Sequence, residues 1–152
     1  MTLPMTLEPR TPLPLHRRPL PLLAIAAGRL LITLSPYTME RALRRLSRGA
    51  RPATPAEALR ARHDIVSVSR RAAGQYCLER SVAAAVLARL RGSWPDWVSG
   101  VSLMPFAAHA WIEVGGRPVG ESMRLDAFQK NIVISCHQNR RSRPNRPTGR
   151  GE

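Results

Sequence analysis

The first sustained apolar block of the chain, LPLLAIAAGRLLITL at residues 20–34, is interrupted by Gly28 and Arg29. It falls short of the ~20 apolar residues a bilayer span needs, so it predicts a packed or surface-lying helix. TMERALRRLSRG follows, with Met39, Leu43 and Leu46 on one side and arginines on the other, which predicts an amphipathic helix from near Thr38 to Gly49. The next start is written most fully: Thr54 as N-cap, Pro55 at the first helical position and Glu57 three residues after the cap form a capping box. A fourth helix opens at Cys77, carries Leu78, Val82, Ala85, Val86 and Leu90 on an apolar stripe, and stops at Gly92.

Beyond Gly92 the pattern changes to that of strands. WVSGVSL, AHAWIEV and NIVISC are short runs of strand character, SWPDW is turn-like, and Gly115-Gly116 is a hairpin signal ahead of RPVGE. Helices followed by strands predict an α+β domain in which the Cys77 helix packs on a small antiparallel sheet. Residues 1–19 are proline-rich and are expected to be extended or disordered; residues 138–152, basic and without apolar anchors, are expected to be disordered. One folded unit over residues 20–137 remains, large enough for a single core.

Composition narrows the function classes. The net charge is +14, yet aromatic residues make up only 5% and no groove-reading element is apparent, so nucleic acid is not the expected partner. Of the 24 lysines and arginines only Lys130 is a lysine, an imbalance in keeping with codon bias as much as with a polyanion partner. Arg41, Arg44, Arg45 and Arg48 form a basic stripe, read first as a solvated face; an acidic peptide, a partner protein or a membrane surface are its other readings, and membrane contact is not expected. Two cysteines without a signal-peptide pattern point to free thiols in a reducing cytoplasm. No phosphate-cradling glycine loop is present, and a zinc site from Cys77, His109, Cys136 and His137 is disfavoured because neighbours on a strand point to opposite faces. Neither metal nor organic cofactor is expected.

The chemistry centres on Cys77. A helix N-terminus favours thiolate over thiol, although a cysteine there is often a small apolar filler. The stretch FAAHAWIEVGGRPVGE changes the balance by supplying a histidine and carboxylates after the cysteine. His16 lies in the proline-rich segment, His63 among arginines in a helix, and His137 at the tail; only His109 lies in an apolar strand, between small alanines. Glu113 shares its strand face but stands about 13 Å away at the usual rise. Asp126 falls past the strand end, which leaves Glu121 as the acid. A plain two-residue loop at Gly115-Gly116 would put Ala110 opposite Glu121 and turn that side chain away from His109. The pairing therefore predicts a three-residue loop from Gly115 to Arg117, or a bulge, between Ile112 and Glu121.

With these residues in place, CLERSVAAAVLARLRG and GVSLMPFAAHAWIEVGG followed by an acid resemble the leader peptidases of lasso-peptide biosynthesis. The likeness covers residues from about 55 to 125. It implies a transglutaminase-like, papain-like core and a bacterial, cytoplasmic cysteine protease using Cys77 and His109, with Glu121 where the family carries aspartate. It also implies a stand-alone form without a leader-recognition domain. The implied partners are a precursor peptide, a separate leader-recognition protein and the ATP-dependent lasso cyclase. The reaction would be hydrolysis of the bond between leader and core, with N–H groups at the helix start meeting the oxyanion; Gln75 is read as a second oxyanion donor or as a polar turn residue, and Phe106 and Trp111 as lining a substrate groove or as core packing. Two other classes compete: an acyl transferase of the same fold, and a non-catalytic peptide-binding module built on the arginine stripe.

Overall fold

The computed structural model describes residues 10–136; residues 1–9 and 137–152, including His137 and the basic tail, lie outside the described residues. The element order is α1 (Pro19–Ile32), α2 (Pro36–Ser47), β1 (Arg51–Pro52), α3 (Pro55–Val68), α4 (Cys77–Leu90), β2 (Ser93–Trp94), β3 (Asp96–Leu103), β4 (Phe106–Val114), β5 (Arg117–Pro118) and β6 (Gln129–Ile134). This is the α+β arrangement expected, with helices ahead of a four-stranded antiparallel sheet of order β5-β4-β3-β6. A short parallel pair, β1 with β2, was not legible in the sequence.

Local chemistry explains the helix starts. The α3 capping box forms in both directions, the Glu57 N–H donating to Thr54 Oγ1 and the Thr54 N–H donating to Glu57 Oε2. In α2 the cap is Ser35, whose hydroxyl accepts from the Thr38 N–H, so the helix begins at Pro36 rather than near Thr38. Proline at the first turn costs no hydrogen bond, because that N–H has no intrahelical partner. The arginine stripe is less uniform than its spacing implied, since Arg44 is bound to Glu40 of the same helix.

Helix α4 is the centre of the domain. Residues Glu79 through Ala88 are all buried, although the sequence foresaw only one apolar stripe. Alanines 83–85 let neighbours come close, and a Cβ placed on Gly28 of α1 would stand 3.2 Å from the Ala83 Cβ. Arg29 of α1 reinforces that contact by donating from Nε to Glu79 Oε1 at 3.0 Å. On the sheet side, Trp97 of β3 donates from Nε1 to Ser81 Oγ of α4, and Trp94 Nε1 donates to the Ile134 carbonyl. Buried indoles therefore keep their N–H groups satisfied.

Residues 10–18, expected within an unstructured leader, lie partly against α3: Arg10 donates to the Ser67 carbonyl, and Leu15–Arg17 make a turn of 3-10 helix. Among the described residues no helix is long and apolar enough to cross a membrane.

Candidate active site

Cys77 is the first residue of α4, half-buried, and follows an inverse γ-turn at Tyr76 (φ −83°, ψ 62°) in which the Cys77 N–H donates to the Gln75 carbonyl at 2.9 Å. The expectation that the first-turn N–H groups meet an oxyanion is corrected in one respect, because the N–H of Cys77 itself is already engaged. The thiol faces β4, where it is bonded to the His109 ring and the Ala110 backbone N–H. That N–H is available because β5 ends opposite Glu113, leaving β4 as the open edge of the sheet at Ala110.

His109 is 8% exposed. Its ring stacks on Trp111 at a centroid distance of 5.9 Å and meets Phe128 at 6.0 Å, so two aromatic neighbours fix its plane. Its Nε2–H donates to Glu121 Oε2 at 2.9 Å, and Nδ1 is the ring nitrogen left for the thiol. Glu121 in turn sits between two buried arginines: Oε1 is 3.5 Å from Arg62 Nε of α3, and Oε2 is 4.0 Å from Arg80 Nη2 of α4.

The contact between Glu121 and His109 is present, but the route to it differs from the expected odd loop. Val114 pairs with Arg117 and Glu113 with Pro118, so Gly115-Gly116 is a two-residue loop, with both glycines at positive φ (60° and 78°). Strand parity stops mattering because pairing ends there. After the Val119 N–H donates to the Ile112 carbonyl, Gly120 turns the chain at φ +67° and delivers Glu121 to the open edge beside His109. Here the backbone turn decides the direction.

Electrostatics follow from this packing. Burial works against the Cys77 thiolate, but hydrogen bonds from His109 and Ala110 and the positive charges of His109 and Arg80 outweigh it, holding the thiol below its ordinary range. Burial likewise opposes the His109 imidazolium, and its bonds to Cys77 and Glu121 overcome this, raising His109 to about 9. Glu121 is held below the usual carboxylate value: burial pushes it up, and the His109 bond with the Arg62 and Arg80 charges pulls it down further. The balance favours a thiolate, an imidazolium and a carboxylate in line. Cys136 shows the contrast, its thiol pushed up by burial and by the charge of Asp96.

The remaining sequence-derived positions separate clearly. Trp111, read as either a groove or a core residue, is 1% exposed and donates to Glu113 Oε2, so it belongs to the core and forms the floor under His109. Phe106 is 76% exposed and lies on the face of β4 opposite His109, with Ala108 and Ala110. Gln75 is exposed, two residues before Cys77. Glu113 is bound by Lys130, and Asp126 is engaged by Arg124 at the surface. Among the described residues no group of histidine, cysteine and acidic side chains is arranged to hold a metal.

Sequence reasoning missed Arg62, Arg80 and Phe128. For the arginines a signal existed: Arg80 stands next to Glu79 just ahead of the apolar run Val82–Leu87 of α4, and Arg62 adjoins the buried Ala58, Ala61 and Ile65 of α3. A charge in such a place requires a buried partner.

A thiol on the first turn of a central helix, facing a strand histidine bound to a carboxylate, defines a cysteine–histidine–acid site of the kind thiol enzymes use. The family model described as transglutaminase-like superfamily matches residues 21–133, and the chain belongs to that superfamily, which includes cysteine proteases and acyltransferases. No curated protein and no solved structure matches the chain significantly.

Proposed function

We propose that the protein is a cysteine peptidase that removes the leader from a ribosomally made lasso-peptide precursor. The observation that carries the peptidase reading is the chain of contacts from Cys77 through His109 to Glu121. The Cys77 thiolate attacks the scissile carbonyl; the His109 imidazolium gives its proton to the leaving amine; then His109 takes a proton from water, which hydrolyses the thioester and restores the thiol. Glu121 keeps the ring oriented and stabilises its charged form. Gln75, exposed two residues before Cys77, is assigned as an oxyanion donor, and the exposed Phe106 of β4 as a groove residue.

The lasso assignment rests on the motifs CLERSVAAAVLARLRG and AHAWIEVGG in their order. With it come the partners: a precursor peptide, a separate leader-recognition protein and the ATP-dependent cyclase that receives the freed core. The test is incubation of purified protein with precursor and recognition protein, read by mass spectrometry. Hydrolysis yields leader and core whose masses sum to the precursor plus one water. A product joined to an amine would indicate acyl transfer instead. Full cleavage by Cys77→Ala would remove the thiol mechanism, and equal rates without the recognition protein would remove that partner.

A further inference from the structure

The acid of the site is held from two directions by groups that the triad does not itself require. Arg62 comes from α3 and faces Glu121 Oε1, while Arg80 comes from α4 and faces Oε2, the oxygen that also accepts from His109. Both arginines are buried, at 3% and 7% exposed. Arg80 also donates from Nη1 to the carbonyls of Ala72 and Gly74, in the segment that leads into Cys77. Its guanidinium therefore joins the backbone before the nucleophile to the carboxylate behind the histidine. Gly120 fits the same arrangement: a Cβ there would stand 2.9 Å from Arg62 Cδ and 3.2 Å from its Nε and Nη1.

Glutamate makes such a clamp necessary on physical grounds. Its side chain has one more rotatable bond than aspartate, so the Gly120 turn aims Glu121 toward His109 without fixing where the carboxylate itself stands. Two guanidiniums approaching different oxygens limit the carboxylate to the pose in which Oε2 meets Nε2, and they disfavour its protonated form. We propose that Arg62 and Arg80 are positioning residues of this site, acting on His109 through Glu121, with Arg80 in addition setting the approach of the chain to Cys77.

The kinetic arm of the proposal rests on the peptidase reading; the thiol-reactivity arm does not, because it needs no substrate. Cys77 alkylation by iodoacetamide is followed across pH by peptide mass spectrometry in the wild type, Arg62→Met, Arg80→Met and Glu121→Gln. Loss of either arginine is expected to move the acid limb of Cys77 reactivity to higher pH. In precursor cleavage kcat is expected to fall about 10- to 100-fold with KM nearly unchanged, the pattern of a lost alignment. The decisive comparison is the double variant: if Arg62 works through Glu121, Arg62→Met costs little further in the Glu121→Gln background. Additive losses there would mark a structural role and overturn the proposal, as would wild-type alkylation profiles in folded single variants. If the methionine variants do not fold, Arg62→Gln and Arg80→Gln keep a donor while removing the charge, and the same two outcomes decide. Cleavage that persists in Cys77→Ala would remove the peptidase reading and leave the alkylation result standing by itself.

Discussion

Gly120 lies against Arg62 so closely that no side chain fits between them, and it does so at φ +67°, where an L-residue is strained in any case. The carboxylate bound to His109 is carried by the very next residue, so this one glycine sets both the turn and the clearance for the arginine behind Glu121.

Gly120→Ala is therefore expected to be more harmful than the left-handed backbone alone explains. Gly116→Ala, at φ +78° with open space around it, provides the comparison and should cost about 1–2 kcal/mol through backbone strain. Gly120→Ala should lose more stability than that in chemical denaturation, and should slow Cys77 alkylation at neutral pH while Gly116→Ala does not. Equal stability and equal reactivity of the two variants would show that the Arg62 contact is irrelevant.

The pH dependence follows from two opposite shifts. Cys77 is depressed from an ordinary value of 9.0, and His109 is raised to about 9. By linkage, the histidine contribution to stability is present below its unfolded value and is lost as pH rises through about 9. The cysteine contribution has the opposite sign, present above its unfolded value and lost as pH falls through its lowered folded one. Across neutral pH these slopes oppose each other, so reactivity is the better measurement. Precursor cleavage should be bell-shaped, with its alkaline limb near pH 9 where His109 loses its proton. His109→Gln should move Cys77 alkylation up toward the ordinary thiol range.

The length of the acid should matter. Glu121→Gln keeps the size but loses the charge that supports the imidazolium, and kcat is expected to fall by about 10²- to 10⁴-fold. Glu121→Asp keeps the charge but withdraws it by one methylene from the 2.9 Å contact with Nε2. It should lie between the wild type and Glu121→Gln in cleavage assays. Wild-type rates in Glu121→Asp would mean that the clamp around the carboxylate adapts freely.

Packing of α1 on α4 offers a test of the scaffold. Ala83 faces Gly28 with no spare room, so Ala83→Leu should cost about 1–3 kcal/mol by overpacking, read from the denaturant midpoint. Since the same helix carries Cys77 at its N-terminus, alkylation of Cys77 should change with it. Leu30→Ala, on the 67% exposed outer side of α1, should leave the midpoint within about 0.5 kcal/mol.

Much of this molecule is written locally. The capping box at Thr54 and Glu57 depends on side chain to backbone bonds and the Gly115-Gly116 turn on φ preferences within a few residues; the box, the start of α4 at Cys77 and the place of that turn were legible, but not the turn's two-residue length. His109 could be singled out because strand alternation and small flanking alanines are also local. Other features required the tertiary structure. Strand parity was the wrong guide to Glu121, because β5 ends at Pro118 and Gly120, close against Arg62, turns the chain before Glu121. For Trp111 the sequence leaves groove and core both open, and burial under His109 decides for the core, since which face of a strand is covered depends on neighbours far away in sequence. Arg62 and Arg80 had only the oddity of a charge at a buried helix position to mark them. Their partner is supplied by a loop after the sheet's edge strand. Local bonding can specify where a helix begins and which residues can do chemistry; only the long-range approach of α3, α4 and that loop brings two guanidiniums to one carboxylate.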